Sequence, residues 1–305
     1  MDPYVYANVP ATPSAPPLPT PDLSRYNLLV KQYELKADVA EQLKQVLSKC
    51  EVVLLCDDSS SMGNAIAEEN TDPFAPKRST RWLELKRLAS KIIEFVTAIN
   101  AEGLDIHFLN RTPILNVTTT TGLQNVFNIA PDGDTPLIGA LWNLYRDKAS
   151  KKRQKELLII VITDGEPTDA SRQDLYNTLI EITKDGITHV SFAECTDQSD
   201  DMEYLDAWDG LIRNFDNTDD YREELARVKN IQGFTFKFDY NDYVIKILLA
   251  TFVRWYFNLD QVRVFDNRYQ STPTPQISRA AITYQPVPNF PPQQIPPTTS
   301  CCVIL

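Results

Sequence analysis

Two short stretches of the chain are apolar at almost every position. They are residues 51–56 (EVVLLC) and residues 157–163 (LLIIVIT), and each is followed at once by an aspartate. Runs of this length without polar alternation are typical of strands buried on both faces, as in parallel sheets. Shorter apolar runs predict further strands at residues 104–109, 114–117, 187–193 and 234–238. The first two of these are close enough along the chain to form an edge hairpin.

Between the strands, apolar residues recur at the three- and four-residue spacing of amphipathic helices. Residues 24–49 begin with Ser24 as a cap and predict one leading helix. Further helices are predicted at residues 80–99, 136–145, 171–184, 200–214, 219–229 and 240–257. This alternation predicts an α/β fold, with a doubly wound, mostly parallel sheet of about six strands flanked by helices. One short strand at the sheet edge is expected to be antiparallel.

Proline marks the boundaries of the folded region. Of the 21 prolines, seven lie in residues 3–21 and eight in residues 273–297. Such segments bury too little apolar surface to offset the entropy of ordering, so both flanks are predicted to be disordered. The expected organisation is a Pro-rich segment (1–23), the leading helix (24–49), the α/β domain (50–259) and a Pro-rich tail (260–305).

The charge of the chain excludes some classes of function. Its formal net charge is −11, and it has no long run of Lys and Arg, so no nucleic-acid partner is expected. The short basic cluster at residues 148–155 is interpreted as a solvated helix end. There is no secretory signal at the start and no apolar run long enough to span a bilayer, which favours a cytoplasmic protein.

Oxygen-bearing side chains are concentrated in three loops. Asp57, Ser59 and Ser61 alternate directly after the first apolar run, Asp164 follows the second, and Thr135 lies in a loop between them. In doubly wound sheets, ligands bind where the strands end. An all-oxygen set of this kind suits Mg²⁺ or Mn²⁺. Because only two members are carboxylates, such an ion would keep a position open for an Asp or Glu of a partner protein.

These loops resemble the metal-ion-dependent adhesion site of the von Willebrand factor type A family. The family pattern is Asp-x-Ser-x-Ser, a threonine in the second loop and an aspartate in the third. It is matched in order by Asp57, Ser59, Ser61, Thr135 and Asp164. The resemblance covers about residues 50–257 and implies a metal-dependent protein-binding module rather than an enzyme. In the family the two aspartates often reach the metal partly through water, so both are carried over as site residues, not as direct ligands.

Other interpretations of the same residues stay open. The loops could be polar caps and turns without an ion, in a scaffold that acts through its Pro-rich tails. An Asp pair after a strand also invites comparison with aspartyl-phosphate hydrolases, but Ser59 occupies the place of their second acid. No Gly-rich phosphate loop with a lysine is present. Asp58, Glu166 and the acidic stretch at residues 197–209 are interpreted as solvated.

Both ends of the chain carry short motifs. The final residues, Cys302-Val303-Ile304-Leu305, fit the Cys-aliphatic-aliphatic-X pattern for prenylation, and a terminal Leu favours geranylgeranyl. Cys301 is the candidate for palmitoylation, since one lipid alone binds membranes only reversibly. Together they predict a peripheral protein on a cytosolic membrane leaflet. Pro13-Ser14-Ala15-Pro16 is similar to a motif that recruits endosomal sorting machinery, although an ordinary linker is the favoured interpretation.

Overall fold

The helices and strands of this protein come from a computed structural model, which describes residues 23–66, 79–150, 153–196 and 202–264. The strands are β1 (Cys50–Cys56), β2 (Leu104–Phe108), β3 (Ile114–Val117), β4 (Glu156–Thr163), β5 (Thr188–Glu194) and β6 (Phe215–Thr218). The helices are α1 (Leu23–Gln32), α2 (Ala37–Lys49), α3 (Arg81–Ile99), α4 (Leu123–Phe127), α5 (Leu137–Ser150), α6 (Arg172–Thr183), α7 (Glu203–Asp206), α8 (Tyr221–Gln232), α9 (Tyr240–Leu249) and α10 (Arg254–Phe257).

The six strands form one sheet in the order β3-β2-β1-β4-β5-β6. All neighbouring pairs are parallel except β2 and β3, which pair antiparallel at one edge. The predicted α/β fold, with its mostly parallel sheet and its antiparallel edge strand, is therefore confirmed. The order reverses at β1 and β4, so the segments that leave these two strands lie side by side at the carboxyl edge.

The core is divided between the two faces of the sheet. Leu54 belongs to the cluster beneath α1, α2, α3 and α9, whereas its neighbour Leu55 belongs to the cluster beneath α5 and α6. Successive side chains of a strand point to opposite faces, so a strand covered by helices on both sides must be apolar throughout. This explains the uninterrupted apolar sequences of β1 and β4.

Several helices are shorter than the sequence suggested. The leading helix predicted for residues 24–49 is two helices, because Glu34 adopts a left-handed conformation with φ of 49° and ends α1. The amide of Leu35 then donates to the carbonyl of Val30 at 2.9 Å, which closes the end of α1. The helix predicted for 240–257 is likewise divided into α9 and α10. Within 200–214, the described residues contain only the short α7.

The prediction of a strand at residues 234–238 is wrong, and the sixth strand is β6. Residues 234–238 form a loop in which Phe234 is 82% exposed. The sequence of β6, Phe-Asp-Asn-Thr, has no apolar run to mark it, yet all four residues are buried beside β5. A polar strand can be buried here only because its side chains find partners inside the protein.

One of those partners is Lys246 of α9, which is fully buried. Its Nζ lies 3.3 Å from a carboxylate oxygen of Glu224 and 3.4 Å from one of Asp260, and it donates to the Thr218 hydroxyl at 3.3 Å. Burial alone would lower the pKa of Lys246, but the negative charges of Asp216, Glu224 and Asp260 outweigh it and raise that pKa. A single buried ammonium therefore holds together residues from β6, α8, α9 and the turn after α10.

The carboxyls around Lys246 should make stability depend on pH. Burial raises the pKa of Asp216 to about 7 and that of Glu224 to about 8. The folded chain holds these protons where the unfolded chain has released them, so their contribution to stability is present at low pH. It is lost as the pH rises from the ordinary carboxyl pKa of about 4 to the raised values of about 7 and about 8. The urea midpoint is expected to fall between pH values of about 4 and about 8.

The variant Glu224→Gln should show a smaller fall in the urea midpoint over this range, because it removes one of the titrating groups. Glu181→Gln, on the exposed surface of α6, is the matched control and should fall as the wild type does. An unchanged pH dependence in Glu224→Gln would show that this cluster is not its source.

The basic cluster at residues 148–155 is not a simple solvated end. Lys148 is 3% exposed, and its Nζ lies 2.5 Å from carboxylate oxygens of Glu51 and Asp105. It therefore ties α5 to β1 and β2. Within the described ranges, no helix is both long and apolar enough to cross a membrane. The flanking motifs, with Pro13, Pro16, Cys301 and Cys302, lie outside those ranges.

Candidate metal centre

The loops that follow β1 and β4 meet at the carboxyl edge of the sheet. Cys56, the last residue of β1, is in register with Ile162 of β4, so Asp57 and Asp164 emerge from neighbouring strands. The Asp57 amide continues the ladder by donating to the Ile162 carbonyl at 2.8 Å. The two aspartates, far apart in sequence, are thereby fixed on the same side of the fold.

Four of the five predicted site residues are joined by direct hydrogen bonds. One Asp57 oxygen accepts from the Ser59 amide at 2.8 Å. The hydroxyls of Ser59 and Ser61 lie 3.0 Å apart, and that of Ser61 donates to Asp164 at 2.9 Å. The other Asp57 oxygen accepts from the Thr163 hydroxyl at 2.6 Å. The two carboxylates are thus linked through the two serines.

The fifth residue, Thr135, lies in a loop that is held against the first one. The Ser60 amide donates to the Gly133 carbonyl at 3.0 Å, and the Gly133 amide donates to the Ser60 hydroxyl at 3.1 Å. Gly133 has φ of 115°, and a side chain there would lie 2.7 Å from Asn110. Thr135 is 6% exposed, and within the described chain its hydroxyl makes no hydrogen bond to the other four side chains. The hydrogen bonds between Ser60 and Gly133 therefore hold its loop against the loop that follows β1.

Asp57 is a buried carboxylate without a cation. It is 1% exposed, and no Lys, Arg or His of the described chain forms an ion pair with it. Burial raises its pKa to about 6, although hydrogen bonds from Thr163 and Ser59 act in the opposite direction. The negative charge of Asp164 raises that pKa further. Since an uncompensated buried charge is unfavourable, a positive ion would be accommodated well here. The donor set, carboxylate and hydroxyl oxygens only, fits Mg²⁺ or Mn²⁺.

Asp164, in contrast, already has a cationic partner. The guanidinium of Arg81 donates to its second oxygen at 2.8 Å, and both side chains are buried. Arg81 is the first residue of α3, which begins after a Thr80 cap. Sequence reasoning missed this residue, because an arginine in the first turn of a helix resembles an ordinary surface residue. The contact joins positions 83 residues apart, and only the topology brings them together.

Asp58 is not solvated as the sequence suggested. It is completely buried, and one of its oxygens accepts from the backbone amide of Asn110 at 2.8 Å. Its other oxygen lies 3.1 Å from Nε of Arg111. Asp58 therefore supports the loops from beneath rather than facing the site. Glu166 is exposed, as expected, and pairs with Arg172.

A second acidic group lies further along the same edge. Carboxylate oxygens of Glu194, Asp206 and Asp219 come within 4.8 Å of one another. The Asn217 amide donates to Glu194 at 2.9 Å and to Asp206 at 2.8 Å. Arg227 pairs with Asp206 at 2.7 Å and with Asp219 at 2.9 Å. The interpretation of this acidic stretch as purely solvated is therefore wrong for Asp206, whose carboxylate pairs with Arg227 and accepts from Asn217.

Known proteins show a likeness at the level of structure only. No family model matches the sequence, and no curated protein matches it. Among solved structures, von Willebrand factor type A from Catenulispora acidiphila is 14% identical, over 56% of this chain and 38% of that chain, with a TM-score of 0.37. The manganese-loaded TRAP protein of Plasmodium vivax is 14% identical, over 59% and 72%, with a TM-score of 0.40. The chain spans 38% of the length of the Catenulispora structure, and its fold is assigned from its own sheet order and register.

Proposed function

We propose that this chain is a protein-binding module whose affinity for its partner depends on a divalent cation, Mg²⁺ or Mn²⁺. The residues that would hold the ion are Asp57, Ser59, Ser61, Thr135 and Asp164. The observation that carries the proposal is the buried Asp57 carboxylate, which is hydrogen-bonded to the site but forms no ion pair with any described residue. The role is binding, not catalysis, and the partner contributes an Asp or Glu side chain.

The charges of the site explain why an outside carboxylate would be preferred. Asp57 and Asp164 are its acids, and the serine and threonine hydroxyls are neutral. Arg81 already compensates part of the charge of Asp164. A divalent ion held by this set keeps positive charge and an open position for an acidic ligand. Ser59 and Ser61 are already oriented by hydrogen bonds to each other and to Asp164, which lowers the cost of ordering them.

The proposal is tested by capturing partners from a cell lysate on the intact chain and on Asp57→Ala, each with Mg²⁺ and with chelator. Partners retained only by the wild-type chain in Mg²⁺ support the proposed mechanism. Once such a partner is identified, its Asp and Glu residues can be replaced by Asn and Gln to find the one that reaches the ion. The same partners in all four samples would instead favour a scaffold that acts without metal. The lipid anchor expected at Cys302, with Cys301, is a separate prediction from the sequence and is not needed for this test.

Arg81 should set how tightly the site holds metal when no partner is bound. In Arg81→Gln the Asp164 carboxylate loses a nearby positive charge, so the affinity for Mn²⁺ should rise by about tenfold, a typical effect of one adjacent charge. Arg81→Lys, which keeps the charge, should stay close to wild type. Titration calorimetry with Mn²⁺ measures both.

Arg111→Gln is the matched control, because Arg111 pairs with Asp58 beneath the loops rather than with a site residue. Its affinity for Mn²⁺ should change little. If Arg81→Gln bound Mn²⁺ more weakly than wild type, Arg81 would instead be needed to orient Asp164, and electrostatic competition would be excluded as its main effect.

A further inference from the structure

A cleft with a volume of about 510 Å³ lies between α1, α3 and the segment that follows β3. Its charged and hydroxyl-bearing walls include Arg25 of α1, Arg87, Lys91 and Glu94 of α3, and Thr119 and Thr120. It is distinct from the metal centre, since Arg87 lies about 9 Å further along α3 than Arg81. Three cationic side chains and one acid line this cleft, in a chain whose net charge is −11.

Only part of that positive charge is compensated within the cleft. The Nζ of Lys91 lies 3.2 Å from a Glu94 oxygen and donates to the Tyr33 hydroxyl at 2.6 Å. Tyr33 in turn donates to Glu94 at 2.8 Å. These three side chains form a closed group. Arg25 and Arg87, in contrast, form no ion pair with any residue in the described part of the chain.

The two arginines are placed where an anion would be favourable. The guanidinium of Arg87 lies 4.2 Å from the centre of the Tyr240 ring, a cation–π contact that restricts its position. Arg25 lies in the first turn of α1, which contains no acidic residue. The N-terminus of a helix carries partial positive charge, so a positive side chain there is unfavourable. A bound anion would offset that repulsion.

We propose that this cleft binds a phosphate group, either of a soluble compound or of a lipid headgroup. One guanidinium group can donate two parallel hydrogen bonds to two oxygens of a phosphate. Two arginines therefore suit a ligand that has several oxygens and more than one negative charge. The hydroxyls of Thr119 and Thr120 add neutral donors at the other wall. A carboxylate, with two oxygens and one charge, would use only part of this set.

The first test is a titration of the full chain with pyrophosphate, followed by the amide NMR signals of Thr119, Thr120 and Gly122. Chelator is present throughout, so that no metal can bind phosphate at the other site. Saturable shifts of these amides at millimolar pyrophosphate are expected. Arg25→Ala and Arg87→Ala should each weaken binding by about tenfold, as expected for loss of a charge-assisted contact. Arg87→Lys should be intermediate, because it keeps the charge without the fork.

Arg146→Ala is the control, since Arg146 is an exposed arginine on α5, outside this cleft. If it weakened binding as much as Arg25→Ala, the interaction would be non-specific and the proposal overturned. Absence of saturable shifts at these amides would overturn it as well.

Vesicles of phosphatidylcholine, with and without a phosphorylated inositol lipid, distinguish a lipid headgroup from a soluble phosphate compound. Arg25-dependent sedimentation with the phosphorylated vesicles assigns a headgroup, and binding of pyrophosphate alone assigns a soluble phosphate compound.

Discussion

Asp57→Asn should lower the affinity of the chain for Mn²⁺ by about 100-fold, the upper end of the range for groups that support a metal site. The substitution removes a buried negative charge that forms no ion pair within the described residues. It keeps an acceptor for the Ser59 amide and so preserves the loop. Titration calorimetry with Mn²⁺ gives the affinity directly, and binding of the captured partner should be lost in parallel.

The same variant should be no less stable than wild type in chelator, which separates a metal role from a structural one. Burial raises the pKa of Asp57 to about 6, so ionised Asp57 costs the folded chain stability as the pH rises from about 4 to that value, and the full cost is present at neutral pH. Asp57→Asn should therefore raise the urea midpoint at neutral pH. Asp134→Asn, an equal change of charge at an exposed position of the second loop, is the control for both measurements. Unchanged Mn²⁺ affinity in Asp57→Asn would contradict the assignment.

The largest loss of stability is expected from Lys246→Met. Removing a partner from a buried ionic cluster leaves uncompensated charge, and such changes cost about 3–5 kcal/mol. Here the ammonium is shared by Glu224, Asp260 and the Thr218 hydroxyl, all of which are buried. Urea unfolding monitored by circular dichroism above a pH of about 8, where Glu224 is ionised in the wild type, measures the loss. Lys184→Met, an exposed lysine at the end of α6, should change stability little.

A second substitution shows whether charge or shape is responsible. Adding Glu224→Gln to Lys246→Met removes one of the unpaired carboxylates and should recover part of the lost stability. Recovery would assign the loss to electrostatics. If the double variant were less stable than Lys246→Met alone, packing around the lysine side chain would explain the effect instead.

The sequence predicted the apolar strands of the sheet but not its polar strand. The central strands β1 and β4 are covered on both faces, so their sequences exclude polar residues and are recognised without a structure. β6 could not be found this way. Its Asp216 lies near the buried Lys246, and its Asn217 reaches Glu194 and Asp206, so its polar residues are satisfied only by the finished tertiary structure.

The candidate site shows the same division. Asp57, Ser59, Ser61 and Asp164 follow two apolar strands that the sequence pattern predicts, and the sheet order places those two strands side by side. The ion pair between Arg81 and Asp164 and the burial of Asp58 depend on segments that are distant in sequence and pack together only in the fold. No local sequence pattern predicts them. The charge balance of the site, which governs its affinity for metal, is therefore the part that sequence alone could not supply.

The polar sequence of β6 also affects the tendency of the protein to aggregate. Strands at the border of a sheet carry unpaired backbone groups, and they can recruit a neighbouring chain into a continuous, aggregating sheet. β6 is only four residues long and holds an acidic side chain inside the fold. At the opposite border β3 is equally short, and its register with β2 is irregular. Among the strands that the structure describes, neither border offers a long, flat, apolar template, so crowding in the cell should not readily convert this sheet into fibrils.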